Sequence, residues 1–166
     1  MKKIARFEKV SLAQFVQDMR QAFPTYPEEA LRRAWEQLEL PKRATSGSAG
    51  HDFRLPVSVQ VNGNEHVFVP TGIRCAMQPG WVLVLFPRSS LGFRYQMRLD
   101  NTAGIIDEDY YGAENEGHII IRFTAEKTLQ LPAGSAFAQG VFLPYGICED
   151  DEADLVRQGG FGSTGN

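Results

Sequence analysis

Apolar positions change their period once along this chain, near Leu40. Before that point they recur at helical spacing: Leu12, Phe15, Val16 and Met19 share one face of a 3.6-residue repeat. Ser11 and Gln14 stand ahead of them as a capping box, and Pro24 stops the helix. A second stripe of Ala30, Leu31, Ala34, Trp35 and Leu38 predicts a helix from about Pro27, placed in its first turn, to Leu40. Ile4 to Val10 reads as a short strand. Residues 1–43 are therefore expected to form a strand and a helical arm packed on the rest, with no chemistry legible in them.

From Ala44 the period shortens to two. Phe53 and Leu55 alternate, then Val57, Val59 and Val61 lead into Asn62-Gly63, a strong hairpin signal with Val67-Phe68-Val69 as its return. Pro79-Gly80 turns into the apolar run Trp81 to Phe86, and Ile119 to Ile121 and Phe137 to Leu143 supply later strands. Short strands punctuated by glycine and proline predict an all-β sandwich or jelly roll over residues 44–155. Residues 156–166 are too rich in glycine to pack as either element, and are expected to be a flexible arm when no ligand is bound.

Composition narrows the function classes. A chain of 166 residues, 43% hydrophobic and 22% charged, can bury one good core. A net charge of -3 argues against polymeric nucleic acid as the main partner, while leaving room for a pocket that binds a small phosphorylated ligand. No segment has membrane-spanning length, and Gln14, Gln17 and Asp18 interrupt the first run that could follow a basic Met1-Lys2-Lys3 start. Cys75 and Cys148 lack metal-ligand spacing and read as free thiols, so a cytoplasmic protein is expected.

Five segments carry candidate chemistry. Gly104 to Gly112 places Asp107 directly after Ile105-Ile106, an apolar pair read as a buried strand end, and closes in an aromatic turn. A carboxylate held there can act as a general base, and Tyr110 can offer a flat face to a sugar; an ordinary acidic turn has the same composition. Asp52 in Ala49-Gly50-His51-Asp52-Phe53 starts a strand. Arg88, Ser89 and Ser90 follow a long apolar strand, on a loop whose guanidinium and hydroxyls suit phosphate oxygens. Gln139 puts one amide on an otherwise apolar strand. The tail embeds Phe161 among glycines ahead of Ser163 and Thr164, a ring and two hydroxyls suited to an aromatic, phosphorylated ligand, without the lysine of a P-loop.

Taken in chain order, from about Leu40 to the C-terminus, the five segments closely resemble the five motifs of the dUTPase family, the deoxyuridine triphosphate nucleotidohydrolases. The helical arm and the insert Ala113 to His118 resemble the subgroup of Gram-positive bacteria and their phages. The resemblance implies a jelly-roll homotrimer whose active sites are shared between subunits, and Mg²⁺-assisted hydrolysis of dUTP to dUMP and pyrophosphate. It implies that Asp107 activates the attacking water and that Tyr110 underlies the deoxyribose. Asn101, with the backbone of Gly104 and Ile106, would read uracil. Arg88 and Ser89, with Ser90 beside them, would contact phosphates from a neighbouring subunit, Gln139 would be the phosphate- and water-side glutamine, and Asp52 would hold metal-bound water. Phe161, Gly162, Ser163 and Thr164 would close over the nucleotide. Arg157 departs from the pattern: it precedes Phe161 by four residues rather than five, so either the loop tightens and it still reaches the γ-phosphate or its role is reduced. The insert is expected to lengthen a hairpin beside the base pocket.

Two alternatives stand beside this reading, a rival enzyme of the same fold and a protein of a different class. A dCTP deaminase shares the fold and the Arg-Ser-Ser segment, but it uses a glutamate where His118-Ile119-Ile120-Ile121 stands, and Arg94 falls one residue late for its second arginine. A phage-type dUTPase that also binds a regulatory partner through the arm or insert is the other.

Overall fold

The computed structural model describes residues 2–153. The strands are β1 (Ala5–Lys9), β2 (Lys42–Arg43), β3 (His51–Arg54), β4 (Val59–Val61), β5 (His66–Pro70), β6 (Ile73–Met77), β7 (Trp81–Pro87), β8 (Arg98–Leu99), β9 (Gly104–Ile106), β10 (Ile120–Thr124), β11 (Leu129–Leu131) and β12 (Ala136–Pro144). The helices are α1 (Leu12–Ala22), α2 (Glu28–Gln37) and α3 (Ser89–Tyr95). A five-stranded sheet in the order β2-β3-β12-β7-β9 carries most of the candidate site. A three-stranded sheet β5-β10-β8 and the pairs β1-β6 and β11-β4 complete an all-β, jelly-roll-like fold.

The core forms because the alternating apolar residues of these strands face inward together. Phe53, Leu83, Leu85, Phe123 and Phe137 are almost wholly buried, with the Phe123 and Phe137 rings 5.9 Å apart. Each such side chain stabilises the fold by roughly 1.5–3 kcal/mol through burial. The N-terminal arm has a second apolar cluster, in which Phe15, Met19 and Leu31 pack with Val10 and Val57.

Three local expectations change. Asn62-Gly63 does turn the chain, but its arms do not pair with each other: β4 pairs with β11, and β5 with β10. The Asn64 N–H donates to the Ala125 carbonyl at 2.7 Å and the Asn62 N–H to the Glu65 carboxylate at 2.9 Å. The turn thus closes on itself and on the β10–β11 connection, while Val61 and Val69 enter one core from different sheets. The capping box is half-formed: Ser11 Oγ accepts from the Gln14 N–H at 3.1 Å, but the Gln14 amide donates to Asp18 and the Ser11 N–H donates to Glu116. Pro27 is the N-cap of α2 rather than a first-turn residue, and the helix ends at Gln37. Among the described residues no helix is long and apolar enough to cross a membrane.

Candidate active site

Edge strand β9 is held against buried β7 in the register Leu83 with Ile106, Val84 with Ile105 and Leu85 with Gly104. A Cβ on Gly104 would meet Leu85 Cβ at 3.1 Å, so the missing side chain lets β9 lie close over Leu85. After Ile106 the chain stays extended at Asp107 (φ -74, ψ 160), then winds into a short 3₁₀ helix, Glu108–Gly112, whose Tyr110 N–H donates to the Asp107 carbonyl at 3.2 Å. Asp107 is thereby fixed, half-buried, where sheet becomes turn. Before β9, Thr102 takes a left-handed conformation (φ 67) and the Ala103 N–H bonds the Asn101 carbonyl at 2.7 Å, which tucks the Asn101 turn against the same strand.

Between these turns lies a cavity of about 550 Å³ lined by Asn101, Gly104, Ile106, Asp107 and Tyr110. That volume is in the range of small-molecule sites. Ile105 also lines it but is 58% exposed, contrary to its expected burial, because an edge strand turns alternate side chains outward. Tyr110 is buried; its hydroxyl donates to the His118 carbonyl at 2.9 Å and accepts from Asn115 Nδ2 at 2.9 Å. The insert does not extend a hairpin, since β9 and β10 lie in different sheets. It folds back instead, burying Ala113 and His118.

Sequence reasoning missed one wall of this cavity. Asp100 lines it and binds Arg122 Nε at 2.5 Å, His66 Nδ1 at 2.9 Å and the Thr124 hydroxyl at 2.5 Å. Burial pushes the Asp100 carboxyl up, but the hydrogen bonds from Thr124 and His66 outweigh it and hold the group below its ordinary range. Arg122 lies 5.1 Å from the Phe68 ring centroid, and both line the cavity. The available signal was alternation: Arg122 and Thr124 interrupt the apolar run of β10 at every second position.

A second group of predicted residues gathers elsewhere. Asp52 on β3 stands opposite Gln139 on β12, which also pairs with Phe86 of β7. Gln139 Nε2 donates to the Pro87 carbonyl at 3.4 Å, and Arg88 Nε lies 3.7 Å from Asp52 Oδ1. Gly50 makes room for this amide, because a Cβ there would fall 2.7 Å from Gln139 Oε1. Ser89 and Ser90 are exposed, but they begin α3 behind Arg88 at the N-cap, rather than lying on a loop. None of Asp52, Arg88, Ser89, Ser90 or Gln139 lines the cavity. Arg157, Phe161, Gly162, Ser163 and Thr164 lie outside the described residues.

The dUTPase family model matches residues 36–165. The chain belongs to the dUTPase family. A deoxyuridine 5′-triphosphate nucleotidohydrolase of Lactococcus lactis is 39% identical over 134 residues, spanning 77% of this chain and 89% of the relative. The crystal structure of a dUTPase from Streptococcus mutans superposes with a TM-score of 0.64 at 34% identity, covering 86% of this chain and 98% of that one. A mutant dUTPase from phage phi11 of S. aureus, described with a structural Mg(II) ion, shares the fold at a TM-score of 0.65 and 16% identity, over 92% and 98% of the two chains. The dUTPase match begins at residue 36, so β1 and α1 precede it.

Proposed function

We propose that this chain hydrolyses dUTP to dUMP and pyrophosphate in sites completed between the subunits of a homotrimer. The observation that carries this reading is the division of the predicted residues into two groups. One surrounds a nucleoside-sized cavity, and the other, Asp52 with Arg88 and Gln139, stands apart from it. A single subunit thus supplies a base-and-sugar half and a phosphate half that do not meet, as expected if each cavity is completed by a neighbour.

In the cavity, Asn101 and the backbone of Gly104 and Ile106 read the uracil edge. Tyr110 packs under the deoxyribose and leaves no room for a 2′-hydroxyl. The Asp107 carboxylate takes a proton from water as its oxygen bonds to the α-phosphorus. The bond from that phosphorus to the α,β-bridging oxygen breaks, and pyrophosphate leaves. A base so placed contributes roughly 10²–10⁴ in rate. Arg88, Ser89, Ser90 and Gln139 of a neighbour hold the phosphates. Arg157 and the Phe161, Gly162, Ser163 and Thr164 segment close over the nucleotide, excluding bulk water.

The donors present fit Mg²⁺. Among the described residues no cluster of three or more His, Cys, Asp or Glu side chains could cage a metal, and Asp52 offers one carboxylate beside the phosphate-binding Arg88. That suits an ion held mainly by phosphate oxygens and waters, with Asp52 hydrogen-bonding a water. When bound, the ion supplies charge neutralisation and a fixed triphosphate conformation. The reaction removes dUTP before uracil enters DNA and yields the precursor of thymidylate.

The test is pyrophosphate release from dUTP, dTTP, dCTP and UTP with Mg²⁺, alongside the solution mass. A trimer strongly selective for dUTP is expected. Ammonia from dCTP, or equal turnover of UTP, would overturn the assignment.

A further inference from the structure

Three polar contacts join the N-terminal arm to the segment that carries Tyr110. Glu8 of β1 accepts from the Tyr111 hydroxyl at 2.6 Å. Ser11, the N-cap of α1, donates through both its N–H and its hydroxyl to the two carboxylate oxygens of Glu116, each at 2.7 Å. Asp18, within α1, binds His118 Nδ1 at 2.5 Å.

The last contact is the deepest. His118 is fully buried, and the Gly72 N–H donates to its Nε2 at 2.8 Å, so that nitrogen carries no proton and Nδ1–H donates to Asp18. Burial pushes the Asp18 carboxyl up, yet the hydrogen bonds from His118 and Gln14 outweigh it and leave the group below its ordinary range. The backbone carbonyl of the same histidine receives the Tyr110 hydroxyl. A continuous path therefore runs from α1 through one buried imidazole to a wall of the substrate cavity.

Burying a carboxylate beside an imidazole is expensive, and an apolar pair of similar volume would hold α1 in place as well or better. What the polar pair adds is direction. Two hydrogen bonds at opposite ring nitrogens fix the imidazole plane between α1 and Gly72, which limits the freedom of the carbonyl that holds Tyr110. We propose that Asp18 and His118 are positioning residues for Tyr110, making the N-terminal arm a brace that sharpens discrimination between deoxyribose and ribose. This rests on the reading of Tyr110 as the sugar platform. Since α1 precedes the part of the chain that matches the family model, the brace is argued from this chain's own contacts.

Asp18→Ala and Asp18→Asn, each checked by circular dichroism and thermal melting, separate positioning from mere folding. The alanine variant should lose about tenfold in the dUTP-to-UTP ratio of kcat/KM, mainly through a higher KM for dUTP, as expected for a displaced contact surface. Asparagine retains an oxygen for the Nδ1–H and should restore most of that ratio. In a Tyr110→Phe background, where the hydroxyl that His118 holds is gone, Asp18→Ala should add little further loss. A folded Asp18→Ala enzyme with an unchanged ratio overturns the brace, and so does an asparagine variant no better than alanine. If Asp18→Ala does not fold, Glu116→Ala substitutes at the partly exposed end of the same segment, and an unchanged ratio there overturns it equally. A wild-type chain that fails to hydrolyse dUTP defeats the proposed function instead, so the two failures are distinguishable.

Discussion

Replacing Gly50 by alanine should leave the fold intact and cripple the proposed phosphate half of the site. The new Cβ would stand 2.7 Å from Gln139 Oε1, where ordinary contacts begin at 3.4 Å, so the amide oxygen must retreat by about 0.7 Å. Gly50 has no positive φ, so its backbone accepts alanine without strain. The gain from restricting the unfolded chain is about 0.4–1 kcal/mol. Against it stands the bond from Gln139 to the Pro87 carbonyl, which at 3.4 Å is long and contributes at most about 1 kcal/mol. The two effects nearly cancel, and the melting temperature should barely move. Activity should not be spared, because hydrogen bonds to charged groups contribute about 1.5–3 kcal/mol, or roughly 10- to 150-fold in kcat/KM. Pyrophosphate release from dUTP and a thermal melt on the same preparation give both numbers. Gln139→Ala should show a similar loss, and the double variant should be no worse than Gln139→Ala alone. Full activity in Gly50→Ala would refute the argument, as would a large drop in stability.

Asp107→Asn should keep dUTP binding while kcat falls by roughly 10²–10⁴; near-normal turnover would move the base elsewhere, with Asp109 the first candidate. Burial, with Glu8 nearby adding to it, pushes the Cys75 thiol up to about 12, whereas Cys148 is exposed. A thiol reagent at pH 8 should therefore modify one cysteine of the native protein and both after denaturation, and two fast modifications of native protein would contradict this. Asp18 has a folded-state pKa below its usual 3.8, so its stabilisation is present above that value and is lost as pH falls through the folded one. The stability gap between wild type and Asp18→Asn should hold at neutral pH and close below about pH 4; a gap independent of pH would sink the assignment of charge to Asp18.

Period and punctuation made the fold class legible because most strands here bury apolar residues between glycine and proline turns. The run from Trp81 to Phe86 became β7 and the glycine before Ile105 opens β9, while of the alternating pair Phe53 lies in β3 and Leu55 just beyond its end. Local signals failed where a distant residue took the partner's role. Asn62-Gly63 shows a turn but not which strands its arms join, since Leu129 and Ile121 lie far along the chain. Gln14 has the right spacing for the capping box, yet Glu116 supplies the carboxylate. The Asp100 cluster draws Arg122 and Thr124 from alternate positions of β10 but His66 from β5, and no spacing rule joins those two strands to Asp100. That Asp107, Tyr110 and Asn101 share one cavity was within reach of the sequence because one short segment holds all three close to a strand end.

The N-cap of α1 is completed by a residue 105 positions downstream, and the buried partner of Asp18 lies 100 positions away. On a ribosome, the first helix therefore emerges long before the groups that finish it. Until His118 and Glu116 are made, Asp18 has only Gln14 and water to bind and the Ser11 N–H lacks its carboxylate, and short isolated helices are marginal on their own. Closing loops of that length is slow compared with local pairing, so the arm that leaves first should settle late, after β6 has paired with β1 and the 113–118 segment has formed. In a nascent chain arrested before residue 116, Phe15, Met19 and Leu31 already have Val10 and Val57 to pack on, but α1 lacks the polar contacts that fix it, and that interval is when a chaperone has most to shield.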